Sequence, residues 1–222
     1  MAQIFRRSTN ALARITIWGA IFFLALATWI GSALQRSGYN TGQGVTIRQP
    51  IPFSHDHHVT GLGIDCRYCH TGVERTAFAG LPPTATCINC HKLIWNDSPL
   101  LAPVRESFRT GKPIEWNRVH DLPDFVYFDH SIHVAKGIGC ASCHGRIDHM
   151  ALTYQAGSLQ MEWCLDCHRD VKKSLRPRDQ VFNMDWQPPE GTAARESEGA
   201  ALARRYDVRT RFALMNCSTC HR

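Results

Sequence analysis

Residues 128–144 read FDHSIHVAKGIGCASCH, and residues 53–70 read FSHDHHVTGLGIDCRYCH. Both carry Phe-x-His-x-x-His-Val followed by Cys-x-x-Cys-His, and the second copy starts 75 residues after the first. The internal spacing nearly agrees: His55 stands 11 residues before Cys66, and His130 stands 10 before Cys140. A phrase repeated with its chemistry-bearing residues almost in register reads as a duplicated module.

The last five letters of that phrase recur beyond the two copies. Cys-x-x-Cys-His occurs as CRYCH (66–70), CINCH (87–91), CASCH (140–144), CLDCH (164–168) and CSTCH (217–221), which uses all ten cysteines of the chain. Covalent haem attachment needs this spacing: two thiols reach the two vinyl groups of one porphyrin, and the adjoining His swings beneath the ring to bind iron. Zinc ribbons take two such pairs per metal, which leaves one of the five pairs over, and they do not require His after the second Cys. Disulfides suit an extracytoplasmic chain, but they give no role to the five adjoining histidines. A thioredoxin-like redox pair belongs in a βαβ pattern, which is missing here. The expectation is five covalently bound haem c groups, held by Cys66, Cys69, Cys87, Cys90, Cys140, Cys143, Cys164, Cys167, Cys217 and Cys220. His70, His91, His144, His168 and His221 then serve as proximal iron ligands.

Electron-carrying haems hold a second axial ligand, His or Met. Seven histidines lie outside the motifs: His55, His57, His58, His120, His130, His133 and His149. In Phe-x-His-x-x-His the two imidazoles sit at i and i+3, about 5–6 Å apart at Cβ on a helix, so they cannot share one haem face. They serve two different haems and pack them edge to edge. His55, His58, His130 and His133 are therefore four expected distal ligands, and His120, in RVHDLPDF between the modules, is the fifth. His57 and His149 are reserves, and Met150, Met161, Met184 and Met215 read mostly as packing residues, with one of them an alternative to a distal His that would raise that haem's potential.

Composition agrees with a haem-filled interior. The chain has 222 residues, 12 His and a formal charge of +6, yet no Lys/Arg run forms a nucleic-acid footprint. Fewer than about 40 residues per haem are too few for a conventional core. Spacers such as AGLPPTATC and WQPPEGT are rich in turn formers. Two short helices are expected, one from Pro99 with Ser98 as N-cap and Gly111 beyond its end, the other over 193–206. Arg67, Arg146 and Arg169, beside the motifs, are candidates to pair with haem propionates.

At the N-terminus, ITIWGAIFFLALATWIGSAL (15–34) carries no charge and follows Arg6, Arg7 and Arg14. Twenty such residues span a bilayer core, and the arginines place residues 1–14 in the cytoplasm with the rest outside. A removed signal peptide is the rival reading, but the apolar run exceeds the usual signal core. The expected organisation is a cytoplasmic segment 1–14, a transmembrane anchor 15–34, a linker 35–52, a first haem module 53–120 with two haems and a second 121–222 with three. The fold class is mostly irregular with short α-helices, behind one transmembrane helix.

The Phe-x-His-x-x-His and Cys-x-x-Cys-His modules are similar to the cytochrome c7 and c3 class of multihaem proteins. That resemblance implies that His55 faces the haem of CRYCH and His130 that of CASCH, while His58 and His133 reach the next haems. More specifically, RVHDLPDFVYFDHSIHVAKGIGCASCHGRID with MEWCLDCHRD resembles the pentahaem cytochrome subunit of bacterial alternative complex III. It implies a quinol oxidoreductase of a respiratory or photosynthetic chain in the bacterial inner membrane. Its partners would be polytopic quinol-binding subunits, a large iron–sulfur subunit, a monohaem cytochrome subunit and a soluble electron acceptor. Two other readings stay in view. A catalytic multihaem reductase needs an open iron and commonly a modified motif, whereas all five motifs here end in His. A stand-alone membrane-anchored quinol dehydrogenase feeding a periplasmic reductase shares the single helix, but one helix makes a meagre quinol pocket.

Overall fold

A computed structural model describes residues 5–221. Residues 1–4 of the expected cytoplasmic segment, and Arg222, lie outside the described residues. The chain divides into two compact units, the first ending at Gln43 and the second beginning at Gly44.

The first unit is built on helix α1, Arg7–Arg36, 30 residues long with a mean hydropathy of 1.9 over its most apolar window. It starts eight residues before the uncharged run, because Ser8–Arg14 is itself helix-compatible and simply carries the polar end. None of its side chains is buried within the protein. Thr28 donates its hydroxyl to Leu24 O (2.8 Å) and Thr16 to Leu12 O, so these polar atoms are satisfied inside the helix, as an apolar environment requires.

The second unit has no extended sheet among its described residues; pairing is confined to the isolated bridges Thr46–Tyr154 and Ile138–Leu175. Its helices are short: α2 Thr84–His91, α3 Ala102–Thr110, α4 His130–Ala135, α5 Met161–Arg169 and α6 Thr192–Arg205. The two helices expected from sequence are α3 and α6. Pro99–Leu101 winds first as a 3₁₀ turn before α3, and Gly111 closes α3 at φ 70°, the left-handed geometry that suits a residue without Cβ. The oxygen of Ser98 makes no side-chain cap; its carbonyl instead accepts from Arg105 Nη1 at 3.0 Å.

Conventional core is thin. One cluster joins Ile51, Leu101 and Val104 to Cys87 and Ile88 of α2; the other joins Ile138 and Leu175 to Leu202 and Tyr206 around α6. Both lie beside the cysteine motifs rather than between large faces. α6 reaches the turn Val171–Ser174 through Gly199, where any Cβ would overlap the Lys172 carbonyl.

Candidate functional site

The repeated phrase folds into two copies of one device. In the first, His55 opens a π-helical turn, Asp56–Gly61; in the second, His130 opens α4. A π turn closes over one residue more than an α turn, and this takes up the one extra residue between His55 and Cys66. The residue after each Phe caps its turn: Ser54 Oγ accepts from His57 N (3.1 Å), and Asp129 Oδ1 accepts from Ser131 N (2.8 Å). Each Phe stacks on the second His and meets the first edge-on. Phe53 lies 4.4 Å from His58 at 21° and 5.0 Å from His55 at 87°; Phe128 lies 4.7 Å from His133 at 28° and 4.7 Å from His130 at 87°. The aromatic ring locks both imidazole planes, a role that sequence reasoning left unassigned to Phe.

Hydrogen bonds then fix the tautomers. A carbonyl oxygen can only accept, so an imidazole nitrogen bonded to one must carry the proton, and the other nitrogen keeps its lone pair. Nδ1–H of His58 donates to Ser54 O (2.8 Å) and that of His133 to Asp129 O (2.7 Å). Nδ1–H of His130 donates to Ala77 O at 2.8 Å. Among the motif histidines, His70 donates to Gly80 O (2.8 Å), His91 to Ile94 O (3.0 Å), His168 to Leu214 O (3.1 Å) and His221 to Phe125 O (3.0 Å). Seven imidazoles thus present a bare Nε2, the arrangement that orients a metal ligand. His55 Nδ1 pairs instead with Thr153 Oγ1 at 3.0 Å.

Three pairs of these rings stand at one separation. Ring centres of His58 and His91 are 6.2 Å apart, those of His130 and His144 6.3 Å, and those of His133 and His168 6.3 Å. A ring nitrogen binds a metal at about 2.0–2.1 Å and lies about 1.1 Å from its ring centre, so two imidazoles across one metal stand about 6.3 Å apart. His130 and His144 are also nearly parallel, at 7°. His55 is in ring contact with Phe53 and with no second imidazole among the described residues; burial pushes it down to about 4, and the imidazoles of His70, His58 and His120 lower it further. His221 meets Phe125 at 5.8 Å, and no second imidazole is in ring contact with it among the described residues.

The cysteines complete the set. None of the ten is in a disulfide, and each pair stands beside its motif His. Burial raises Cys140 to about 11, with the charge of Cys66 next in effect. Burial raises Cys143 to about 12, helped by Cys167 and Cys164. Among the described residues no three His, Cys, Asp or Glu converge to hold a bare metal ion. Paired imidazoles flanked by two thiols fit a metal that brings its own equatorial donors and two thioether-forming arms, which is haem c.

The remaining histidines are differently placed. His120 meets His144 edge-on, 4.4 Å between centres, with Nε2 3.2 Å from His144 Nδ1. His57 stacks on Trp95 at 5.7 Å. His149 has both nitrogens engaged, with Arg146 Nη2 at 2.6 Å from Nε2 and Thr60 Oγ1 at 3.4 Å from Nδ1. The arginines beside the motifs are paired within the chain: Arg67 with Asp65 (2.8 Å), Arg146 with Asp148 (2.7 Å) and Asp185 (2.8 Å), and Arg169 with Asp166. Sequence reasoning missed Arg176, buried against Gly139, its guanidinium over Trp186 at 4.7 Å and its Nε without a partner among the described residues. Nothing in its sequence context marks it as buried.

The halves also exchange bonds. His55, ahead of the first motif, is met by Thr153, beyond the third; His130, ahead of the third motif, is met by Ala77, beyond the first. Thr60 Oγ1 donates to Asp148 O (2.8 Å), and Asp56 N donates to Met150 O (3.2 Å).

Fold and site together carry the features of a multihaem c-type cytochrome. Residues 126–222, which hold three of the five motifs, match the family described as cytochrome c7 and related cytochrome c. The chain is also 37% identical over 127 residues to the protein named menaquinone reductase, multiheme cytochrome c subunit, of Nitratidesulfovibrio vulgaris Hildenborough. The match covers 57% of this chain and 54% of that protein, so the chain spans about half the length of the curated relative it matches.

Proposed function

We propose that this chain is a membrane-anchored pentahaem c-type cytochrome that relays electrons by outer-sphere transfer, as a subunit of a quinol-linked oxidoreductase. The observation that carries it is the array of imidazoles with protonated Nδ1 and bare Nε2 beside five thiol pairs. Haem c, when bound, supplies an iron that takes up and gives back one electron. His58 and His91, His130 and His144, and His133 and His168 would hold it in pairs, with His55 and His70 serving the first motif, as the cytochrome c7 resemblance implies, and His221 serving the last.

The order of the sites in space is not their order in the chain. His55 and His58 sit in one turn and join the first site to the second. The reciprocal bonds His130–Ala77 and His55–Thr153 join the first to the third. His130 and His133, in α4, join the third to the fourth, and the bond from His168 to Leu214 O joins the fourth to the segment entering the fifth. We infer the path 87–91, 66–70, 140–144, 164–168, 217–221, and take α1 as the membrane anchor. Arg6, Arg7 and Arg14 favour an extracytoplasmic haem unit.

Two resemblances support a quinone-linked partner set. The matched relative is named for menaquinone reduction, and the phrase over 118–148 resembles alternative complex III, which oxidises quinol. On this reading both call for the same property from this chain, fixed and closely spaced haem sites, and the quinone pocket is proposed to lie on polytopic neighbours. Mild purification of the full chain from membranes tests this. The expected result is a mass equal to the polypeptide plus five haems, together with co-purifying polytopic subunits and quinol-dependent haem reduction that vanishes when they are stripped. A mass equal to the naked polypeptide ends the haem reading, and quinol-dependent reduction of the stripped chain favours the stand-alone dehydrogenase.

A further inference from the structure

The five motif histidines do not all have the same partner at Nδ1. Four of them donate to main-chain carbonyls, those of Gly80, Ile94, Leu214 and Phe125. The fifth, His144, has no carbonyl partner among the described residues; the Nε2 of His120 stands in its place at 3.2 Å. The loop carrying His120 is tied down nearby. Asn117 N donates to Gln49 Oε1 (3.0 Å), Gln49 Nε2 donates to Asn117 O (2.7 Å), and Arg118 pairs with Asp121 (2.9 Å).

Tautomer logic decides what His120 can do. An imidazole that gives its Nε2 lone pair to iron carries its proton on Nδ1, so His144 must donate and His120 Nε2 must accept. The single proton of neutral His120 then sits on its own Nδ1, and neither nitrogen has a lone pair left for a metal. We propose that His120 is a positioning residue that accepts the Nδ1–H of His144 and holds that imidazole's tautomer and plane, in place of serving as a fifth distal ligand. This rests on the reading of CASCH as a haem-attachment site.

The substitution of imidazole for carbonyl has a chemical consequence. An imidazole nitrogen is far more basic than an amide oxygen, so it draws the Nδ1 proton more strongly and makes His144 the more electron-rich ligand. A richer axial ligand favours ferric iron, so His120 sets the third site apart from the other four by lowering its potential. That site occupies the middle of the inferred path.

The test is His120→Phe in the full-length, membrane-purified protein, with His120→Gln beside it. Mass and haem stain first establish that five haems are attached in wild type; their absence defeats the underlying reading and not this assignment. With haems attached, His120→Phe is expected to show no high-spin signal beyond that of wild type in optical and EPR spectra. One of the midpoint potentials should move upward in a redox titration. His120→Gln, which returns an amide acceptor like those at the other four motifs, should move the same potential by a smaller amount. A new high-spin iron in either variant shows that His120 is a ligand and overturns the proposal, and so does a His120→Phe titration in which no potential moves. If His120→Phe does not accumulate, His120→Gln decides alone: the upward shift without new high-spin iron sustains the proposal, and new high-spin iron or an unmoved titration sinks it.

Discussion

At the scale of single residues, the site is set by what each imidazole does with its Nδ1. His133 is held by Asp129 O at 2.7 Å and by the ring of Phe128, and it faces His168 across 6.3 Å. Replacing His133 with Ala should convert one low-spin iron to high-spin while the thioether-bound haem count, read by mass, stays the same. A spectrum identical to wild type would remove His133 from the axial set. Acid sensitivity is also a residue matter. The Arg146 guanidinium forks onto the buried Asp148 carboxylate (3.0 and 2.7 Å) and holds it below the usual carboxylate range. A carboxylate lowered on folding stabilises the protein above its unfolded value, near about 3.9, and that contribution is lost as pH falls through the folded value. Asp148→Asn should therefore lower the melting temperature at pH 7 and make its decline below about pH 4 shallower than in wild type. Equal slopes would assign the acid response to other groups.

At the scale of elements, the short helices aim imidazoles, and their caps matter out of proportion to their length. Asp129 caps α4 through Ser131 N and Ile132 N while its carbonyl holds His133. Asp129→Ala removes the side-chain bonds and leaves the carbonyl, so it should cost about 1 kcal/mol of stability, read by denaturant titration, with the spin state retained. Gly199→Ala presses a methyl group onto the Lys172 carbonyl where α6 meets the turn Val171–Ser174, and overpacking of that kind costs roughly 1–3 kcal/mol. These elements were legible to different degrees. Helices α3 and α6 announce themselves through Pro99, Gly111 and an Ala/Arg-rich run, and α1 through its apolar stretch. The first His pair reads as an α-helical i, i+3 pair, but the extra residue before Cys66 folds as a π turn, a choice that periodicity does not encode. The cysteine pairs and their adjoining histidines stand out in the sequence because attachment chemistry demands fixed spacing. The orientation of the imidazoles does not, since Ala77 O lies 53 residues from His130 and Phe125 O lies 96 from His221. His120 illustrates the limit: a count of irons makes it a ligand, while its contact with His144 becomes visible only when residues 24 apart are brought together.

At the scale of the whole molecule, the duplicated phrase has been used for interlocking as well as for repetition. The first His of each copy takes its Nδ1 partner from the opposite half, His55 from Thr153 and His130 from Ala77. The turn after the third motif adds the bonds Thr60–Asp148 and Asp56–Met150. The half before residue 121 therefore lacks what orients His55, and the half after it lacks what orients His130. Few apolar side chains back this arrangement, so hydrogen bonds across the halves and the prosthetic groups themselves must supply most of the cohesion. Residues 44–222 make one compact unit distinct from helix α1, and expressed without residues 1–43 under conditions that attach haem they should keep the full low-spin spectrum and a single cooperative melt. Residues 44–120 and 121–222 expressed separately should still accept haem at their cysteine pairs, because attachment needs only the local motif. Each half should nevertheless show weakened Soret circular dichroism and a broadened melt, since the first imidazole of its copy has lost the group that holds its plane. Mixing the halves should restore both signals. Halves that melt as sharply apart as together would mean that the two copies of the phrase fold as independent beads, and the crossed bonds would then be a consequence of their contact and not the cause of their order.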